Sequence, residues 1–430
     1  MRSNRTQVRL NDVADVISGY AFPSKEFKES GTPVVKISNI RVGHMDMTES
    51  QRVSDEFVER LHPKYVVKAN DILISLTGSH ISQPNSVVGR VARYSSKLCT
   101  ALLNQRAGKI IVTDFERCDP NYLYWILVQK SVREQIASMA HGAANQANVS
   151  PSQVGSLQIF LPKIATQRRI ASILSAYDDL IENNMRRIAI LEEMARRIYE
   201  EWFVRFRFPG HEQVKMMESE LGMIPEGWQV QTVADFGKVI TGKTPSKSDP
   251  ENFGDDVPFI KTPDMHGNLF CISTGEGLSA KGAESQKGKT LPENSLCVSC
   301  IGTAGVVSIT TRPAQTNQQI NAVVLNEQHN REFLYFALVG LKETINLYGA
   351  NGATMVNLNK SKFEGLKIVY GDSPTVDHYH TLAFSFFEEI RVLQLKNANL
   401  RATRDLLLPK LISGELDVSS LPEPEEVITA

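Results

Sequence analysis

The chain has 430 residues, of which 42% are hydrophobic and 22% charged, with a formal net charge of −1; it exceeds one compact domain and can bury substantial cores. No apolar run approaches the ~18 residues of a membrane span, and the polar residues 1–10 do not form a signal peptide, so a membrane or exported protein is not expected. Five scattered cysteines argue for a reducing cytosol over a disulfide framework.

In chain order, residues 1–162 carry roughly +5, 163–210 roughly +2, 211–371 roughly −3 and 372–430 roughly −5. Phosphate neutralisation needs a basic surface, so a nucleic-acid role would require help from a partner. The first segment opens with short β-branched runs broken by Gly, Pro and Asn, such as 71–76, which predict strands of a mixed, mainly antiparallel sheet. A helical patch over 122–137 follows. Together they predict an α+β globular domain over 1–162.

From 165 to 206 there is neither Gly nor Pro. Ile170, Tyr177, Leu191 and Ile198 keep one seven-residue seam; Leu174, Ile181, Ile188, Ala195 and Trp202 keep the other. This heptad pattern predicts a coiled-coil helix over 163–210, roughly 60 Å long at 1.5 Å per residue. Tyr199, Trp202 and Phe203 could present an apolar docking face near its end.

The third segment, 211–371, rewrites the first. Val13-Ala14-Asp15 leading to Gly19 recurs as Val233-Ala234-Asp235 leading to Gly242, and Pro33-Val34-Val35-Lys36 returns as Pro258-Phe259-Ile260-Lys261. The stretch Asn70-Asp71 closing at Gly78 returns as Asn294-Ser295 closing at Gly302; Asn104-Gln105 returns as Asn317-Gln318, Leu123-Tyr124 as Leu334-Tyr335, and Gly142-Ala143 as Gly352-Ala353. Six matches in one order imply a second homologous domain with its own strands (297–301) and helical patch (333–347).

The fourth segment, 372–416, repeats the helix. Tyr379, Phe386, Leu393, Leu400 and Leu407 keep one seam; Ala383, Ile390, Asn397, Arg404 and Leu411 keep the other. Arg404 interrupts the stripe, and Pro409 should disturb the last turn. Two stripes in one duplicated chain predict antiparallel packing about a pseudo-two-fold axis, with Ile170 opposite Leu411, Ala195 opposite Phe386, and Ile181 opposite Leu400. Asn184 then falls opposite Asn397, where the two either satisfy each other and pin the register or each turn to solvent. An acidic tail, 417–430, is expected to be disordered.

Two motifs tempt without context. Residues 237–244 match the phosphate-loop pattern G-x-x-x-x-G-K-[ST], but Pro245, Pro250 and Gly254 forbid the helix that would cradle phosphates. Cys297 and Cys300 lie three apart on a predicted strand, so they point to opposite faces and cannot share a metal. No methyltransferase motif and no nucleophile–base pair stands out, so no catalytic residue and no metal site is assigned.

Segments 19–24, 70–78, 219–228 and 407–416, in this order within a duplicated chain, resemble the specificity subunits of Type I restriction–modification systems over essentially the whole chain. The resemblance implies a non-catalytic DNA reader in which each globular unit is a target recognition domain for half of a split, asymmetric double-stranded site. The helices would act as ruler and dock two methyltransferase subunits, with two restriction subunits completing the complex. This chain would bind no cofactor of its own; S-adenosylmethionine, ATP and magnesium belong on the partners. The setting would be the cytoplasm of a bacterium or archaeon. A coiled-coil scaffold that binds only proteins is the competing reading, and it leaves two diverged heads unexplained.

Loops beside the repeated motifs supply the candidate DNA contacts, because Arg, Lys, His, Asn, Gln, Ser and Thr meet bases and phosphates. In the first head these are Lys25, Lys36, Arg41, His44, Ser79, His80, Gln83, Asn104, Gln105 and Arg106. In the second they are Lys243, Lys247, Lys261, His266, Thr303, Asn317, Gln318 and Gln319. The Asn-Gln pairs occur in both heads, so they are read either as structural or as backbone contacts.

Overall fold

The computed structural model describes residues 5–79, 87–95, 99–143, 146–349 and 356–422. The chain divides into two compact units, residues 1–179 with 402–430, and residues 180–401. Its fold class is α+β, with a mixed, mainly antiparallel sheet system in each unit and two long helices.

The same sheet is built twice. In the first unit, Ala14–Ser18, Ala107–Val112, Ile72–Ser75 and Val91–Arg93 pair antiparallel in that spatial order. In the second unit, Gly237–Thr241, Ile320–Leu325, Leu296–Ser299 and Val307–Thr310 do the same, and Phe270–Cys271 adds a parallel edge strand. Ile72, Leu73 and Ile74 are all buried, as are Leu296, Cys297 and Val298. Central strands covered on both faces read as continuous apolar runs, not as alternation. Asn70 (φ 68°) and Asn294 (φ 65°) turn the chain into these central strands from the left-handed region, which Asn tolerates better than most side chains. In both units that Asn donates its N–H across the turn, to Tyr94 (2.8 Å) and to Thr310 (2.9 Å).

The expected helical patches are each two helices. Pro120–Leu127 and Lys130–Ser138 serve the first unit; Arg331–Gly340 and Lys342–Gly349 serve the second. Asp119 caps the first of these by accepting from the Tyr122 N–H at 2.9 Å, with Pro120 at the first helical position, where its missing N–H costs nothing.

Two long helices, Ile164–Tyr199 and Ser373–Ser413, each cross from one unit to the other. In the second unit the Asn184 Nδ2 donates to Asn397 Oδ1 at 2.9 Å, both side chains being buried. Arg187 pairs with Glu389, and the Tyr379 hydroxyl donates to the Ala195 carbonyl at 3.2 Å. Partners descend along one helix as they ascend along the other, so the helices run antiparallel in this unit. Ile181, Ile390 and Leu393 are buried, while Ile188, Leu191, Ile198, Trp202 and Leu400 are half-buried. In the first unit Ile170, Leu174, Leu408 and Leu411 share one core, with Leu407 packed against it and Tyr177 half-buried.

Four expectations need correction. Phe386 is half-buried, and its neighbour Phe387 is fully buried against Phe270, Tyr335 and Phe336, so the globular core and not the helix partner sets the buried face there. Pro409 does not end its helix, which runs on to Ser413. The proposed docking face at the end of the first helix is occupied: Phe203 is buried against Trp228 and Phe333, and Tyr199 lies against Phe333 and Phe336. Val418 is also buried in the first unit's core, so the tail is packed at least that far; residues 423–430 lie outside the described residues.

Arg404 does not merely interrupt the stripe. Its guanidinium meets Asp178 and lies 6.0 Å from the Trp125 ring centre. Burial pushes the Asp178 carboxyl up, and the Arg404 charge offsets part of that push. Removing the arginine leaves a carboxylate short of its counter-charge, so Arg404→Met should destabilise the protein by about 1–3 kcal/mol at neutral pH. The carboxyl pKa would rise further, and the neutral acid tolerates burial. The loss should therefore shrink as pH falls through that raised pKa, measured as urea midpoints from pH 4 to 8.

Asn184→Ala should cost about 1–3 kcal/mol by stranding the Asn397 amide. The double change Asn184→Leu with Asn397→Leu should recover most of that in urea unfolding.

Candidate nucleic-acid interface

One turn is held by the same four contacts in the two units, and it carries candidate residues in both; they differ in that Gln105 N–H donates to the Tyr20 carbonyl (2.8 Å), whereas the Lys243 carbonyl accepts from the Gln286 side chain (2.9 Å). Gly19 N–H donates to the Ala107 carbonyl (3.0 Å), as Gly242 N–H does to Ile320 (3.0 Å). The next N–H, of Tyr20 or Lys243, donates to Leu103 (2.8 Å) or Thr316 (2.9 Å). Asn104 N–H donates to Val35 (3.0 Å), and Asn317 N–H to Ile260 (3.2 Å). The Asn104 side-chain oxygen accepts from the Arg106 N–H at 3.3 Å; that of Asn317 accepts from Gln319 at 3.1 Å. A Cβ on Gly19 would stand 2.2 Å from the Leu103 carbonyl oxygen, and one on Gly242 2.2 Å from that of Asn317. The glycines permit the close approach, and the asparagines close the turn by side-chain mimicry of a backbone bond.

Asn104 is half-buried and Asn317 buried, whereas Gln105, Arg106 and Gln318 are exposed and Gln319 is half-buried. The second head fastens Gln318 further, since the Thr244 hydroxyl donates to its side-chain oxygen at 2.6 Å. Lys243 and Lys247 are exposed in the same stretch. Gly237–Thr241 is a strand, and the chain after Thr244 passes through loop to the short 3-10 turn Pro250–Asn252, so no helix presents amides to a phosphate there.

A second feature is also duplicated. Lys36 and Lys261 each begin a short helical turn, their N–H groups donating at 2.8 Å to Asn39 Oδ1 and Asp264 Oδ2. Lys36 reaches Gln51 and lies 4.7 Å from the Phe27 ring centre; burial lowers its pKa. Lys261 is ion-paired to Glu276, whose carboxyl it holds below the usual range. These lysines are half-buried, so only part of each reaches solvent.

The remaining candidates are dispersed. Lys25, His44, His266 and Thr303 are exposed, Ser79 is half-buried, and His80 and Gln83 lie outside the described residues. Arg41 pairs with Asp46 at 3.4 Å, and its loop reaches the next strand through Gly43 N–H to the Val91 carbonyl (2.9 Å). This brings Arg41 toward two basic residues that sequence reasoning missed. Burial, followed by the charges of Arg41 and Arg133, holds Arg90 below its ordinary pKa. No motif marks Arg90 or Arg133, because the cluster joins a loop, a turn and a helix.

Cys297, on the strand Leu296–Ser299, and Cys300, just past its end, are buried in separate cores, and burial raises both thiols, that of Cys300 to about 11. Among the described residues no cluster of His, Cys, Asp or Glu could hold a metal, and no helix is long and apolar enough to cross a membrane.

The family model described as Type I restriction modification DNA specificity domain matches residues 3–193 and again 225–370. The Type I restriction enzyme HindI specificity subunit of Haemophilus influenzae is 30% identical over 355 residues, covering 69% of this chain and 77% of that protein. The MjaIX specificity subunit of Methanocaldococcus jannaschii is 26% identical over 96% of this chain and 94% of its own length. The fold is similar to the crystal structure of the Type I restriction–modification S subunit from M. genitalium, with a TM-score of 0.58, 16% identity, and coverage of 95% and 96% of the two chains. Two matched recognition-domain segments, two long helices and relatives matched over most of their length place this chain in the family of Type I restriction–modification specificity subunits.

Proposed function

We propose that the chain reads a bipartite double-stranded DNA target and directs a methyltransferase to it. The supporting observation is the double match to the DNA specificity domain, borne on one scaffold whose shared turn presents different neighbours, Arg106 in one head and Gln319 in the other. Shared scaffolds with divergent exposed loops suit two heads reading different half-sites. Arg41, Arg90 and Arg133 supply positive charge for phosphate in the first head, as Lys243 and Lys247 do in the second.

Methylation and cleavage belong to partner subunits of the same bacterial or archaeal cytoplasm, two methyltransferases and two restriction subunits, which carry S-adenosylmethionine, ATP and magnesium. Exposed apolar side chains on the long helices suit a protein partner: Ile190 and Met194, one turn apart, are 53% and 44% exposed. Ile190→Glu with Met194→Glu should abolish co-purification with the methyltransferase while helicity by circular dichroism stays unchanged.

The function itself is tested in a methylation-free host. Adenine methylation at one split motif should appear only when this chain and its methyltransferase are both present. Identical methylation without the chain would sink the reading and favour a protein-only scaffold. Deleting seven residues from each long helix shortens it by about 10 Å, equivalent to about three base pairs. The gap should change while both half-sites persist.

A further inference from the structure

Two heads that read different sequences have no reason to share a reading residue, yet they share an exposed glutamine. Gln105 and Gln318 each follow the asparagine that closes the duplicated turn. The fold's demands at that turn are met by other groups. Gly19 and Gly242 permit the close approach, and Asn104 and Asn317 bond the backbone two residues on. Among the described residues the Gln105 backbone N–H donates to the Tyr20 carbonyl (2.8 Å) but its side-chain amide has no hydrogen-bond partner, and the Gln318 side-chain amide only accepts, from the Thr244 hydroxyl, which leaves its NH2 group unengaged. The turn would close as well with another polar residue in that place. Both copies nevertheless carry glutamine, on the same backbone.

We infer that Gln105 and Gln318 are positioning residues that donate to a non-bridging phosphate oxygen of the DNA backbone. The inference rests on the DNA-reading function proposed above. What two dissimilar half-sites have in common is the sugar-phosphate backbone, and a neutral amide can donate to phosphate without reporting sequence. The turn is suited to this, since it fixes the backbone from which the amide projects and leaves only the side-chain rotamers to be ordered. Thr244 holds the Gln318 oxygen back and so turns the donor end outward.

The test uses the full chain purified with its methyltransferase. A randomised duplex library first defines the target, and affinity for it is then measured against salt. Gln105→Ala and Gln318→Ala should each weaken binding by about two- to tenfold, the range of a lost neutral hydrogen bond. The selected sequence and the salt slope should remain those of the parent. Gln105→Lys and Gln318→Lys should restore affinity and steepen the logarithmic salt slope by about one.

A changed half-site in either Ala variant would show base reading and overturn the inference. So would unchanged affinity in all four variants, or a lowered melting midpoint showing that the fold needs the amide. If the unsubstituted complex has no salt-dependent affinity for any duplex, the DNA-reading function itself fails and this inference falls with it. That outcome is separable, because it appears before any variant is compared.

Discussion

A hydrogen bond between two buried side chains, Asn184 and Asn397, holds the helix pair of the second unit in one register. An apolar seam alone tolerates sliding by a heptad, since Leu, Ile and Ala layers are nearly interchangeable. A buried amide is not interchangeable, because any other register leaves it against hydrocarbon without a partner. The buried side chains of Ile181, Ile390 and Leu393 and the surface ion pair of Arg187 with Glu389 lie along the same two helices. Under the proposed function the helices serve as a spacer, and register is then the quantity that must not drift.

The heads follow a related economy. Their central strands are buried on both faces, and some polar side chains that enter the interior are bonded to backbone, as at Gln167, whose side-chain amide serves the Arg117 and Pro162 carbonyls at 2.8 Å. Several exposed candidate residues of the heads lie on turns fastened by such bonds. The duplicated Gly–Asn turn is the clearest instance, with the same four backbone and side-chain contacts in each unit. A rigid framework of this kind allows neighbouring positions to diverge, as Arg106 and Gln319 have, without moving the frame. The near-neutral net charge is compatible with DNA binding because cations gather locally, as Arg41, Arg90 and Arg133 do, while the acidic excess lies mainly toward the C-terminus.

Much of this was legible in the primary structure. Period-seven stripes, the ordered repeat of short motifs and the opposition of Asn184 to Asn397 depend on spacing alone, and spacing maps directly onto helix faces and homologous strands. The reading faltered where one residue serves two masters. Phe386 fits the heptad, but Phe387 is the buried ring, because aromatic side chains of the globular core reach that turn of the helix. Tyr199 and Phe203 resembled a free apolar face for the same reason, their covering partner Phe333 being more than a hundred residues away.

By itself the sequence determined the duplication, the α+β heads, the paired helices and the family, since all of these are written as local patterns or as their recurrence. Tertiary structure alone decided which candidate side chains are spent and which remain available. Asn104 and Asn317 are consumed in closing turns, Lys261 is neutralised by Glu276, and Arg404 is matched to Asp178. Arg90 and Arg133 become neighbours only when a turn and a helix pack together. The reason is physical: a polar residue's chemistry is set by its hydrogen-bond partners and counter-charges, and those come from segments whose distance along the chain carries no information about their distance in space.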